Sequence, residues 1–246
     1  MSTKPKNTNL KPVTRRDRIH QLQKQRKMTR LAWILAVLVV GGLVAFTFWP
    51  RSQATATPPA PGSPVLPTKA LGEIGLDKSI GDENAPVVVV EYGDFQCPAC
   101  QYFFQTAVKQ LKNEYIQTGK VRFVFRQFAF LGDESQWAAE ASECANEQGR
   151  FWDYYDKLYQ EQNGENVGIF GKDNLKRFAV EIKLDTAGFN QCLDSGRYTE
   201  KVKQETLEGQ EAGVRGTPSV FVNGQYIEKG SSYPVLRAAV DAVLGK

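Results

Sequence analysis

A single histidine, His20, occurs in 246 residues, and it lies in the basic N-terminal stretch far from the four cysteines, Cys97, Cys100, Cys144 and Cys192. Mixed cysteine/histidine zinc sites are thereby excluded from the rest of the chain. An all-cysteine site would have to recruit Cys144 and Cys192, which lack paired knuckle spacing. No metal and no other cofactor is expected. Acid is nearly absent from the start: Asp17 is the only acidic residue in 1–70, against twelve Lys and Arg, a net of +11 that leaves −7 for residues 71–246 out of a total of +4. A mildly acidic folded part has no basic face for DNA or RNA, so nucleic acid is not an expected partner. Internal repeats are absent as well.

Charge is missing altogether from residues 31–49, LAWILAVLVVGGLVAFTFW. A buried core helix of that length would keep a polar stripe, and this one has none, so a transmembrane anchor is expected. Ten Lys and Arg in residues 1–30 mark that tail as cytoplasmic, which makes the chain a single-pass cell-membrane protein with its folded domain outside the cytoplasm. The competing reading is a signal peptide cleaved after Ala56, at Ala54-Thr55-Ala56, although the apolar run is longer than the usual 7 to 15 residues. Residues 50–70 carry six prolines and read as a semi-rigid linker that holds the domain off the bilayer.

What is present from residue 71 onward is a foldable pattern. Val87 to Tyr92 is a β-branched run of buried-strand character. After Pro98 the spacing places Phe103, Phe104, Ala107, Val108, Leu111 and Tyr115 on one helical face, with Gly119 as a stop. VRFVFRQF then alternates with period two and reads as a second strand. Residues 133–213 read as a block of helices, and PSVFVNGQYIEKG, with Asn223-Gly224 between short apolar runs, reads as a hairpin before a last helix. The expected fold class is α/β: a thioredoxin-like sheet with an inserted helical domain, preceded by one transmembrane helix.

Cys97 and Cys100 lie at the start of the helix in the βαβ unit, in the stretch DFQCPACQ. A purely structural bridge there would close too short a loop to constrain the unfolded chain much. Unpaired N–H groups at a helix start stabilise a thiolate and bring cysteine pKa values down to roughly 3.5 to 7.5. Cys97 is therefore the expected attacking thiol, and Cys100, one turn deeper, the resolving thiol of a redox-active disulfide. Glu91, a carboxylate in a strand of buried character, would have a raised pKa and take up the proton of Cys100. The alternative is a strand-end glutamate that reaches solvent. Phe95, beside the thiols, is expected at the surface, whereas Trp137, Phe151, Trp152, Tyr155 and Tyr159 have the spacing of core residues.

The stretches GDENAPVVVVEYGDFQCPAC, KVRFVFRQFAFLGDESQWAAEASECANEQGRFWDYYDKL, CLDSGRY and GVRGTPSVFVNG resemble the DsbA-like branch of the thioredoxin superfamily over nearly all of residues 72–246. A CPxC motif combined with a distant GTPxxxVNG is the specific part of the match. The resemblance implies that Pro218 is a cis-proline facing the active-site disulfide, that the backbone of Thr217 pairs with a substrate strand, and that Glu91 is the buried acid six positions before the first cysteine. The best-known oxidase of the family has histidine where this chain has Ala99. With 97 and 100 assigned to redox work, Cys144 and Cys192 remain as a structural disulfide, a second pair that related sequences often carry. Such a bridge would contribute about 4 kcal/mol on the chain-entropy model.

The expected activity is that of a thiol:disulfide oxidoreductase that introduces disulfides into exported proteins. Its clients are unfolded or reduced exported proteins, and its implied regenerating partner is a quinone-linked membrane thiol oxidase. A reductase or isomerase of the same fold, and a non-catalytic holdase or assembly factor with structural cysteines, are the rivals.

Overall fold

The structure is a computed structural model, and it describes residues 78–246. The basic tail 1–30, the anchor 31–49 with its rival cleavage site at Ala56, the linker 50–70 and the first residues of the domain, 71–77, lie outside the described residues. Among the described residues no helix is long and apolar enough to cross a membrane.

Five strands form one mixed sheet. They are β1 (Ser79–Ile80), β2 (Val87–Gly93), β3 (Val121–Gln127), β4 (Ser219–Val222) and β5 (Gln225–Tyr226), in the spatial order β1-β3-β2-β4-β5. β2 runs parallel to β3 and antiparallel to β4, with Glu91 opposite Phe125 on one side and Val220 on the other. The parallel pair needs a crossover, which the helical run α1 supplies. That run is α-helical over Pro98–Phe103 and Lys109–Leu111 and π-helical over Phe104–Val108 and Lys112–Ile116. The wider π turns let neighbouring residues serve different cores: Phe103 packs with Leu111, Leu236 and Val240, while Phe104 packs with Tyr155 and Tyr159.

Between β3 and β4 lie five helices: α2 (Asp133–Asn146), α3 (Phe151–Glu161), α4 (Lys172–Glu181), α5 (Thr186–Asp194) and α6 (Thr199–Glu211). α7 (Tyr233–Val243) closes the chain. Cys144 of α2 and Cys192 of α5 are joined by a disulfide with Cα atoms 5.9 Å apart, an ordinary separation. The hairpin turn at Asn223-Gly224 has positive φ at both residues, 45° and 82°, as a type I′ turn requires.

The period-two pattern of β3 does not separate core from solvent, because every residue of the strand is buried. Phe123 and Phe125 face α1 and α3, and the polar face is covered too: Arg126 pairs with Glu208 of α6, and Arg122 donates to the Ser79 hydroxyl. Deeper still, the wholly buried Lys78 ammonium contacts the carboxylates of Glu143 and Glu205, while Lys201 takes the other Glu143 oxygen at 2.7 Å. Buried charges persist only when paired in this way, and these pairs fasten the edge of the sheet to α2 and α6.

Candidate active site

The central strand β2 ends at Gly93, whose missing side chain is itself required. A Cβ there would sit 2.5 Å from the Phe125 ring and 3.0 Å from Glu91 Oε1. The chain then turns through Asp94, Phe95 and Gln96, with the Cys97 amide donating to the Asp94 carbonyl at 3.0 Å. Cys97 has an extended backbone (φ −71°, ψ 118°) and occupies the N-cap position of α1. Pro98, which has no N–H to satisfy, takes the first helical position. Both cysteines of the motif are free thiols. Cys97 keeps a sliver of exposure, 8%, beside the exposed Pro98 and Ala99, while Cys100 has none.

Two further elements converge on this helix start. The Thr217–Pro218 bond ahead of β4 is cis, and the Thr217 carbonyl accepts a hydrogen bond from the Cys97 thiol at 3.4 Å. From beneath, Glu91 is wholly buried, so the alternative of a solvent-seeking strand-end carboxylate does not hold. Its Oε2 accepts from the Tyr155 hydroxyl at 3.2 Å, and its Oε1 has no hydrogen-bond partner.

These surroundings separate the three titrating groups. Cys97 is lowered from 9.0 to about 6, first by a hydrogen bond from Cys100 and then, against the opposing effect of burial, by Thr217 and by backbone N–H groups of Cys100 and Ala99. Burial pushes Cys100 well above its ordinary range, helped by its bond to Cys97 and by the neighbouring Glu91 charge. Burial also raises Glu91 to about 8, against the Tyr155 hydrogen bond. The arrangement offers one thiol ionised at neutral pH at the surface, one thiol held protonated beneath it, and a carboxyl able to exchange a proton near that second thiol. Among the described residues no cluster of His, Cys, Asp and Glu is arranged to hold a metal ion.

Phe95 is not at the surface. It is 1% exposed, stacked on Phe125 with ring centroids 5.1 Å apart and packed edge-on against Tyr155. Burying such a ring stabilises the fold by about 1.5–3 kcal/mol. Tyr155 and Tyr159 keep their core role, but they are also the walls of the site, and only the polar tip of Tyr155 could have signalled its contact with Glu91. Nothing in the sequence pattern marks Gln96, Gln101 or Gln162, which surround the motif.

Comparison with known proteins identifies the family. A family model described as Thioredoxin matches residues 75–242. The chain is 37% identical over 173 residues to a probable disulfide bond formation protein D of Bacillus anthracis, covering 69% of this chain and 79% of that protein. It is 30% identical to disulfide bond formation protein D of Bacillus subtilis, covering 67% and 76%. The crystal structure of oxidised BdbD from Bacillus subtilis superposes with a TM-score of 0.67 at 26% identity, covering 75% of this chain and 98% of that one. The chain belongs to the thioredoxin family, as a DsbA-like thiol:disulfide oxidoreductase.

Proposed function

We propose that the protein works as a membrane-anchored oxidase that introduces disulfides into reduced exported proteins through Cys97 and Cys100. A client thiolate attacks Cys97 Sγ of the oxidised motif, forming a mixed disulfide as the 97–100 bond breaks. The electron pair leaves on Cys100, and Glu91, protonated below about pH 8, supplies the proton. A second client thiolate then attacks the client sulfur of the mixed disulfide, and Cys97 departs as a thiolate. The result is one client disulfide and one reduced enzyme. Thr217, next to cis Pro218, would pair its backbone with the client strand while this happens.

The observation that carries this reading is the free Cys97 thiol at the N-cap of α1, 3.4 Å from the Thr217 carbonyl, in surroundings that lower it to about 6. Stabilising the thiolate favours the reduced enzyme and makes Cys97 a good leaving group, which together favour passing the disulfide on. A quinone-linked membrane thiol oxidase would restore the 97–100 disulfide. The uncharged segment 31–49 behind its basic tail supports anchoring in the bilayer with the domain outside. Protease added to spheroplasts should therefore remove the domain and spare a tail-plus-anchor fragment, whereas a soluble form starting near Thr57 would mean cleavage instead.

The reductase or isomerase reading differs from the oxidase in one measurable quantity. Equilibrated with glutathione, the 97–100 couple of an oxidase should lie near about −120 mV, and a value near about −270 mV would make the protein a reductase.

A further inference from the structure

The helix that begins at Cys97 starts without help of its own. The N-cap residue makes no side-chain cap bond, and the first turn holds no acidic residue. The first N–H groups of such a helix have no intrahelical partners and fray unless something else fixes them. Here the two flanks of that first turn are held by residue 162, far along the chain. The Gln162 side-chain amide donates to the Gln96 carbonyl at 2.7 Å, immediately before the motif. Its own carbonyl accepts from the Gln101 amide at 2.7 Å, immediately after the motif, and Gln101 also donates to the Tyr159 carbonyl at 2.9 Å. One residue at the end of α3 therefore holds both sides of CPAC.

Gln96 extends the hold in the other direction. Its side chain is wholly buried, and its amide donates to Ser135 Oγ at 3.0 Å while its Oε1 accepts from the Asn166 amide at 2.6 Å. Its backbone N–H donates to Asp94 Oδ1 at 2.9 Å, and the same oxygen accepts from the Ser135 hydroxyl at 2.6 Å. The motif is thus tied to α2, to the end of α3 and to the loop that follows it. None of these bonds is made by the cysteines themselves.

We propose that Gln162, Gln96 and Gln101 form a clamp of positioning residues, which keeps the backbone N–H groups of Ala99 and Cys100 aimed at the Cys97 sulfur and so sets the acidity of the attacking thiol. The inference rests on Cys97 being that thiol. A loosened clamp lets the first turn sample orientations in which those groups point elsewhere, and the thiolate loses part of its stabilisation.

The test is a pH titration of thiolate absorbance on the reduced full chain and its variants. Gln162→Ala should raise the Cys97 midpoint by about half a unit or more, a threefold or larger loss of acidity, and Gln96→Ala should shift it the same way. Val240→Ala, on the buried face of α7, is the control: it should lower the melting temperature without moving the midpoint. Gln101→Ala releases only the far end of the clamp and provides a third, milder displacement should either of the first two variants fail to fold. A midpoint unmoved in folded Gln162→Ala or Gln101→Ala, or moved equally in Val240→Ala, overturns the clamp. The parent's own midpoint tests the role of Cys97 separately, so the two readings fail in different ways.

Discussion

Cys100→Ser should reduce disulfide formation in a reduced client to the uncatalysed background and, when mixed instead with a disulfide-bonded client, accumulate high-mass adducts that vanish with reductant, because the Cys97 thiolate attacks the client disulfide and the other client sulfur leaves as a thiolate. The variant keeps the activated Cys97 thiol but cannot store a disulfide between 97 and 100, and it has no internal thiol to release a mixed disulfide once formed. Because Cys100 is wholly buried beneath Cys97, the serine replaces it without exposing a new surface. The adducts should disappear when Cys97 is also changed to serine, and Cys97→Ser alone should show neither activity nor adducts. Non-reducing electrophoresis of client mixtures reads both outcomes. Undiminished turnover in Cys100→Ser would remove the two-thiol mechanism, and adducts that persist without Cys97 would assign the attack to another residue.

Glu91→Gln should make the protein more stable and a poorer catalyst. With the carboxyl raised by burial to about 8 from an ordinary value of 4.5, the folded state holds a proton between those pH values that the unfolded state has released. The favourable contribution of the protonated form is complete below about pH 4.5 and is lost progressively as pH rises to about 8. Relative to a side chain that never ionises, Glu91 then costs roughly 3 kcal/mol at pH 7 and roughly 5 kcal/mol above pH 9. Denaturant unfolding of the reduced forms should show parent and variant nearly equal near pH 4 and the variant ahead by about 3 kcal/mol at pH 7. Client exchange should slow by about 10- to 100-fold, since an amide cannot carry the proton to and from Cys100. Equal stability at both pH values would mean that the carboxyl is not held protonated by the fold.

The parts of the fold that the sequence made legible are those set by neighbouring residues. Val87 to Tyr92 reads as a covered strand, and the spacing of α1 marks Phe103, Ala107, Val108, Leu111 and Tyr115 as one buried face, although its π turns send Phe104 to the other core. Asn223-Gly224 supplied the two positive φ values of a tight turn. The cysteine pair after a strand and before a proline carried its own chemistry. What stayed hidden depends on where the chain returns. Arg122 and Arg126 alternate with apolar residues as solvent-facing groups do, yet both are buried, Arg126 against Glu208 of α6 and Arg122 against Ser79 of β1. Lys78 is wholly buried because Glu143 and Glu205, distant in sequence, arrive to pair with it. Phe95 adjoins the thiols in sequence, but its ring turns inward to Phe125 and Tyr155. Gln96 and Gln162 have no local pattern at all, and their part emerges only once α3 ends against the motif.

Attack, departure and the direction of exchange all follow from one quantity, the acidity of Cys97, a thiol ionised at neutral pH. Thiolate absorbance of the reduced protein, followed from acid to alkaline pH with Cys97→Ser as the blank, measures it directly. The expected midpoint is about 6, with Cys100 silent through neutral pH and ionising only well above 9.0. A midpoint for Cys97 above about 8, the range of an ordinary cysteine, would mean that Cys97 is not the activated thiol.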